Sequence, residues 1–102
     1  MTNVEYMPLS RTNGPTVVQW LGGKGIDASV EPDDRLRIKI TESVTVQAAA
    51  SAGHVTEATE ADVLVRPGIF LVATYVEVEK RYFIRVTDKA PKPGEDEPAS
   101  VG

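Results

Sequence analysis

The chain has 102 residues with a formal net charge of −4, and 41% of its residues are hydrophobic and 25% charged. That length accommodates one domain, and no apolar run approaches the roughly 18 residues of a membrane-spanning helix. With no cysteine the chain has neither disulfides nor thiolate chemistry, and its acidic balance argues against wrapping duplex nucleic acid, which requires many phosphates to be neutralised by Lys and Arg.

The N-terminus lacks the basic start, apolar middle and small-residue cleavage site of a secretory signal. The chain is therefore expected in the cytoplasm, or in a virion if it is phage-encoded. Residues 1–15 are predicted to form an N-terminal arm closing in the turn signal Asn13-Gly14-Pro15. Val4, Tyr6, Met7 and Leu9 are too apolar for a solvated tail, and Pro8 interrupts any helix through them. Such an arm is expected to lie on a neighbouring surface. A single β domain is predicted over residues 16–88, starting with a strand at Thr16–Leu21. Val18 and Trp20 would lie on one side of it, and Val17, Gln19 and Leu21 on the other.

Gly22-Gly-Lys-Gly25 has lysine among glycines but not the Walker spacing, and no helix pattern follows it. A flexible hairpin loop is predicted there, followed by a strand at Ile26–Val30 and a turn at Glu31-Pro-Asp-Asp34. Asp33 and Asp34 lack the further oxygen ligands and turn glycine of a calcium loop, so no metal site is predicted.

The stretch Arg35–Gln47 organises the fold. Leu36, Ile38, Ile40, Val44 and Val46 occupy even positions and polar residues nearly all the others, a period of two that gives a strand one aliphatic and one polar face. Glu42 alone breaks the inner row, and a bend is predicted there. Arg35, Arg37 and Lys39 share the outer face, and Lys80, Arg81 and Arg85 form a second basic group. Either these are solvated positions that protect a sheet from aggregation, or they steer an acidic partner.

A long loop is predicted over residues 48–62, with one helical turn at Ala48–Ala52 closed by Gly53. It holds His54, the only histidine, with Glu57 and Glu60 as candidate orienting carboxylates. No Cys and no second His stand by as metal ligands. Val63–Val65, Ile69–Val76 and Arg81–Thr87 read as strands, with a type II turn at Pro67-Gly68. The nearly all-apolar Ile69–Val76 is predicted to be central. The fold class is all-β, a small barrel or sandwich of five to seven strands. Residues 89–102 form a Pro-rich, acidic tail without periodicity.

No motif for catalysis, a cofactor or a metal emerges from this pattern. The first reading is a non-enzymatic assembly protein, a small subunit of a large symmetric particle such as a bacteriophage virion, where it would serve as capsid decoration or head–tail connection. It would form homo-oligomers or bind other proteins, using Tyr6, Met7, Leu9 and the Pro-rich tail as anchors, with Trp20, Arg35, Arg37 and Lys39 as further contact residues. The second is a module of oligonucleotide-binding type, with Trp20, Tyr82 and Tyr75 as stacking platforms beside Arg35, Arg37 and Lys39 for single-stranded nucleic acid or an acidic partner. The third is a small hydrolase built on His54.

Overall fold

The computed structural model describes residues 4–89. The tail predicted over residues 89–102 lies, apart from Lys89, outside the described residues. The elements are β1 (Val4–Pro8), α1 (Gly14–Gly22), β2 (Ala28–Val30), β3 (Leu36–Lys39), β4 (Val44–Thr45), α2 (Gln47–Ser51), β5 (Val55–Ala58), β6 (Asp62–Val65), β7 (Phe70–Val76) and β8 (Arg81–Thr87). They form two four-stranded sheets, sheet I in the order β1-β7-β8-β4 and sheet II in the order β2-β3-β6-β5. The strand-dominated fold agrees with the expected class. Two corrections apply: the described strands number eight rather than five to seven, and the sheets do not close into a barrel.

The organising stretch behaves as its period demands, with Leu36 and Ile38 fully buried and Ile40, Val44 and Val46 packed against the core. It is not one strand, however. β3 belongs to sheet II and β4 to sheet I, so the break at Glu42 is the point where the chain crosses between sheets. Thr41 shapes this corner, accepting from Val44 N–H at its carbonyl (3.1 Å) and from Ser43 N–H at its hydroxyl (3.1 Å). After the crossing, β4 runs parallel to β8, pairing Val44 with Ile84.

Two expectations fail near the N-terminus. Residues 4–8 do not leave the domain as an arm, because β1 pairs antiparallel with β7 from Val4–Thr74 to Pro8–Phe70. Thr16–Leu21 is not a strand but the body of α1. Asn13-Gly14-Pro15 is a helix start, with Pro in the first turn where its missing N–H costs nothing. Helical spacing buries Gly14, Val17 and Leu21 on one face. The predicted hairpin loop at residues 22–25 is the end of this helix. Ile26 N–H donates to Leu21 O (3.0 Å) and Gly25 N–H to Gly22 O (3.1 Å), with Gly25 at φ +82°. This is a Schellman closure, and its flanking apolar pair, Leu21 and Ile26, enters the core.

The same closure recurs after α2, where His54 N–H donates to Ala49 O (2.9 Å), Gly53 N–H to Ala50 O (3.0 Å), and Gly53 has φ +82°. The helical turn closed by Gly53 is thus present. The rest of the predicted loop differs from expectation, since β5 occupies Val55–Ala58 and pairs with β6. Gly68 has φ +102°, as position i+2 of a type II turn requires. One core joins the two sheets and both helices: Val17 and Leu21 from α1, Ala49 from α2, Leu36, Ile38, Val63 and Val65 from sheet II, and Leu71, Ala73, Ile84 and Val86 from sheet I.

Candidate interaction surfaces

Strand alternation turns every second residue of sheet I away from this core. The registers place Val4 beside Thr74 and Phe83, Tyr6 beside Val72 and Arg85, Pro8 beside Phe70 and Thr87, and Val76 beside Arg81. Tyr6, exposed, and Val4, Phe70, Val76 and Phe83, half-buried, therefore form an apolar strip around the buried Val72, and none of the six belongs to the main core cluster or to the side chains packed against it. Among the described residues the exposed large hydrophobics are Tyr6 at 44% and Val78 at 93%, and both belong to this sheet, on β1 and on the β7–β8 turn. At the rim Arg81 lies over the Phe83 ring (4.8 Å) and pairs with Glu42 and Glu79, each at 2.6 Å.

The open edge of sheet I is short. Leu9 N–H donates to Ile69 O (2.9 Å) and Gly68 N–H to Leu9 O (2.7 Å), so Leu9, Met7 and Glu5 turn their backbone groups toward β7. Val4, Tyr6 and Pro8 turn theirs outward by alternation. Pro8 has no N–H, and its carbonyl is taken by Asn13 Nδ2 (2.7 Å), while Asn13 Oδ1 accepts from Ser10 N–H (2.8 Å). Proline and a capped carbonyl blunt this edge against strand addition.

The outer face of sheet II has a different chemistry. Arg37 donates to Glu31 (3.1 and 3.3 Å) and Asp62 (3.1 Å), which raise its pKa further, Glu31 more than Asp62. Arg35 donates to Asp33 (2.8 Å), Glu57 (3.3 Å) and Thr56 (2.8 Å). The hydrogen bonds from Arg35 hold the Asp33 carboxyl below its ordinary range. Leu64, cross-strand from Arg37, is buried outside the main core beneath this lattice. Two of the three basic-stripe residues are thus occupied within the chain. Lys39 is exposed, on the rim of a shallow cavity of about 250 Å³ shared with Asp27, Ser29, Arg37 and Asp62.

The aromatic residues form a third group. Trp20 reaches from α1 to donate its Nε1–H to Glu5 Oε1 on β1 (3.2 Å). Lys24 Nζ lies 3.0 Å from the same oxygen, 4.6 Å from the Trp20 ring centre and 4.9 Å from that of Tyr82. Tyr75 braces Tyr82 edge-on, with ring centres 5.0 Å apart at 63°. The hydrogen bond from Lys24 lowers the Glu5 pKa, aided by Trp20 and opposed by partial desolvation.

The predicted contact residues are therefore dispersed. Tyr6 projects outward, Met7 packs against the core, and Leu9, only 2% exposed, belongs to it. Leu9 is thus placed as a core residue of its own chain and not as an anchor on a neighbour. Trp20 faces Lys24 and Glu5, and among the described residues no hydrogen bond or cation–π contact joins it to Arg35, Arg37 or Lys39. The expected nucleic-acid platform of aromatics beside that stripe is not assembled. His54 follows α2, half-buried, and no hydrogen bond links its imidazole to Glu57 or Glu60 among the described residues. No group of three or more potential metal ligands occurs among the described residues. No described helix is long and apolar enough to cross a membrane.

Sequence reasoning missed the Lys24 cluster because Trp20 and Lys24 become neighbours only if residues 16–21 are helical. The (i, i+4) spacing between them was the available signal. Comparison with protein-family models, with characterised proteins and with solved structures finds no match to this chain.

Proposed function

We propose that this chain is a non-enzymatic assembly subunit that packs against a second copy of itself through the outer face of sheet I. The supporting observation is that exposed Tyr6 and half-buried Phe70 and Phe83 share the outer face of sheet I around the buried Val72 and stand outside the main core cluster. An apolar strip is complementary to itself, and at its rim the charge of Arg81 is already met within the chain by Glu42 and Glu79. Two such sheets would pack face to face at about 10 Å, like the halves of a sandwich. A building block of this kind suits a large symmetric particle such as a bacteriophage virion, as capsid decoration or head–tail connection.

The test is light scattering across a concentration series on the parent chain and on Tyr6→Glu. The parent should form dimers, and Tyr6→Glu should be monomeric with an unchanged melting temperature, because Tyr6 is the most exposed residue of the strip. A parent that stays monomeric at every concentration would refute the reading.

A further inference from the structure

We infer that Glu5, Trp20 and Tyr82 form a binding cage for an alkylammonium group, which Lys24 fills in the closed chain and vacates when a quaternary or alkyl ammonium takes its place.

The walls of the cage stand on three packed elements, and its occupant is the end of a long side chain. Trp20 is carried by α1, which Val17 and Leu21 fix in the core. Tyr82 is on β8 with Tyr75 edge-on behind it, and Glu5 is on β1, paired with Ala73. The Trp20 N–H and the Lys24 ammonium share Glu5 Oε1, so the carboxylate is oriented by the indole whether or not the lysine is present. Two π-faces and a carboxylate around one nitrogen make the arrangement that selects ammonium cations, and distances of 4.6 and 4.9 Å to the ring centres lie within the attractive range of about 6 Å.

Lys24, by contrast, stands on the turn Gly22-Gly23-Lys24-Gly25. At Gly22 and Gly25 no heavy atom lies within 4 Å of where a Cβ would be. The backbone of this turn is fixed by the closure onto Leu21 and Gly22, but the ammonium reaches the cage on a flexible four-carbon stem, so it can leave by a change of side-chain rotamer while the turn stays closed. The Lys24 side chain is 10% exposed and that of Glu5 42%, so the carboxylate side of the cage opens to solvent while the lysine plugs it. As a tethered competitor Lys24 weakens, without abolishing, the binding of an external cation. The site is separate from the apolar strip: Glu5 and Tyr82 lie on the face of sheet I opposite to Tyr6 and Phe83.

Trp20 is the only tryptophan, so its fluorescence reports on the cage directly. The experiment titrates tetramethylammonium chloride into the parent chain and Lys24→Met, with sodium chloride at equal ionic strength as reference. Both should show a saturable Trp20 response beyond that of sodium, at least about tenfold tighter in Lys24→Met because the internal competitor is gone. Adding Glu5→Gln to Lys24→Met should weaken binding again. A folded Lys24→Met chain that responds to both salts alike would overturn the inference, as would a parent chain with no saturable response. Should Lys24→Met not fold, the parent alone decides, through nuclear Overhauser contacts between the tetramethylammonium methyls and the Trp20 and Tyr82 rings. Their presence supports the cage, and their absence where the fold persists rejects it.

Discussion

Gly14 shows how little room a single position leaves. It is buried at the start of α1, and a Cβ built there would stand 2.8 Å from Val30 Cγ2 and 3.1 Å from Cγ1. Val30 is stiff at χ1 and cannot swing aside easily, so Gly14→Ala should destabilise the chain by about 1–3 kcal/mol, as overpacking does. Thermal melts check this, and adding Val30→Ala should recover part of the loss if the clash is the cause.

Glu5 gives a pH-dependent outcome at the same scale. Its carboxyl is held below its ordinary value in the folded chain by Lys24 first. Its stabilising contribution is present above the unfolded glutamate value of about 4.3 and is lost as pH falls through the lower folded value. The melting temperature should therefore fall on acidification below about pH 4.3, and less steeply in Glu5→Gln. Equal slopes in the two chains would remove Glu5 from the account. Neither residue's role was legible in the sequence, where Gly14 belonged to a turn and Glu5 to an arm, because both depend on partners 16 or more residues away: Val30 for one, Lys24 for the other.

Elements were legible wherever a period repeated. β3 carries two turns of the alternation on its own, and burial follows it, with Leu36 and Ile38 at 0% against an exposed Lys39. Ile38→Asp should therefore unfold the domain, since an unpaired buried charge costs several kcal/mol against a total of roughly 5–15. Circular dichroism would reveal it, and a parent-like melt would break the strand assignment. α1 was misread because Val17, Val18 and Trp20 favour strands, while the pattern that buries Gly14, Val17 and Leu21 spans barely two turns. Asn13-Gly14-Pro15 fits both a turn and a helix start, and the packing of Val17 and Leu21 in a shared core decided between them. Gly25 and Gly53 end their helices by the same two-bond closure at φ +82°. Gly53 was legible because a run of alanines precedes it, and Gly25 was not because its helix was unrecognised.

At the scale of the molecule, the two outer faces differ in what they offer a partner. Sheet II presents arginines already paired with Glu31, Asp33, Glu57 and Asp62, whereas sheet I presents Tyr6 and the half-buried Phe70 and Phe83 with a blunted edge at Pro8. Composition alone could not separate them, because the basic stripe and its acids lie up to 25 residues apart in the chain. If association proceeds through sheet I it buries apolar area, and screening by salt should not weaken it, since a Debye length of about 8 Å at physiological ionic strength matters only to charged contacts. Association through the charged face would instead weaken as salt rises. Sedimentation of the parent chain in low and high sodium chloride separates the two: a dimer unchanged or tightened by salt supports packing through sheet I, and one that dissociates with salt transfers the contact to sheet II. An isologous contact of this kind closes at two copies. Growth beyond the dimer then requires a second, heterologous surface, so a parent chain that forms open-ended polymers even as Tyr6→Glu would show that sheet I is not the contact that builds the particle.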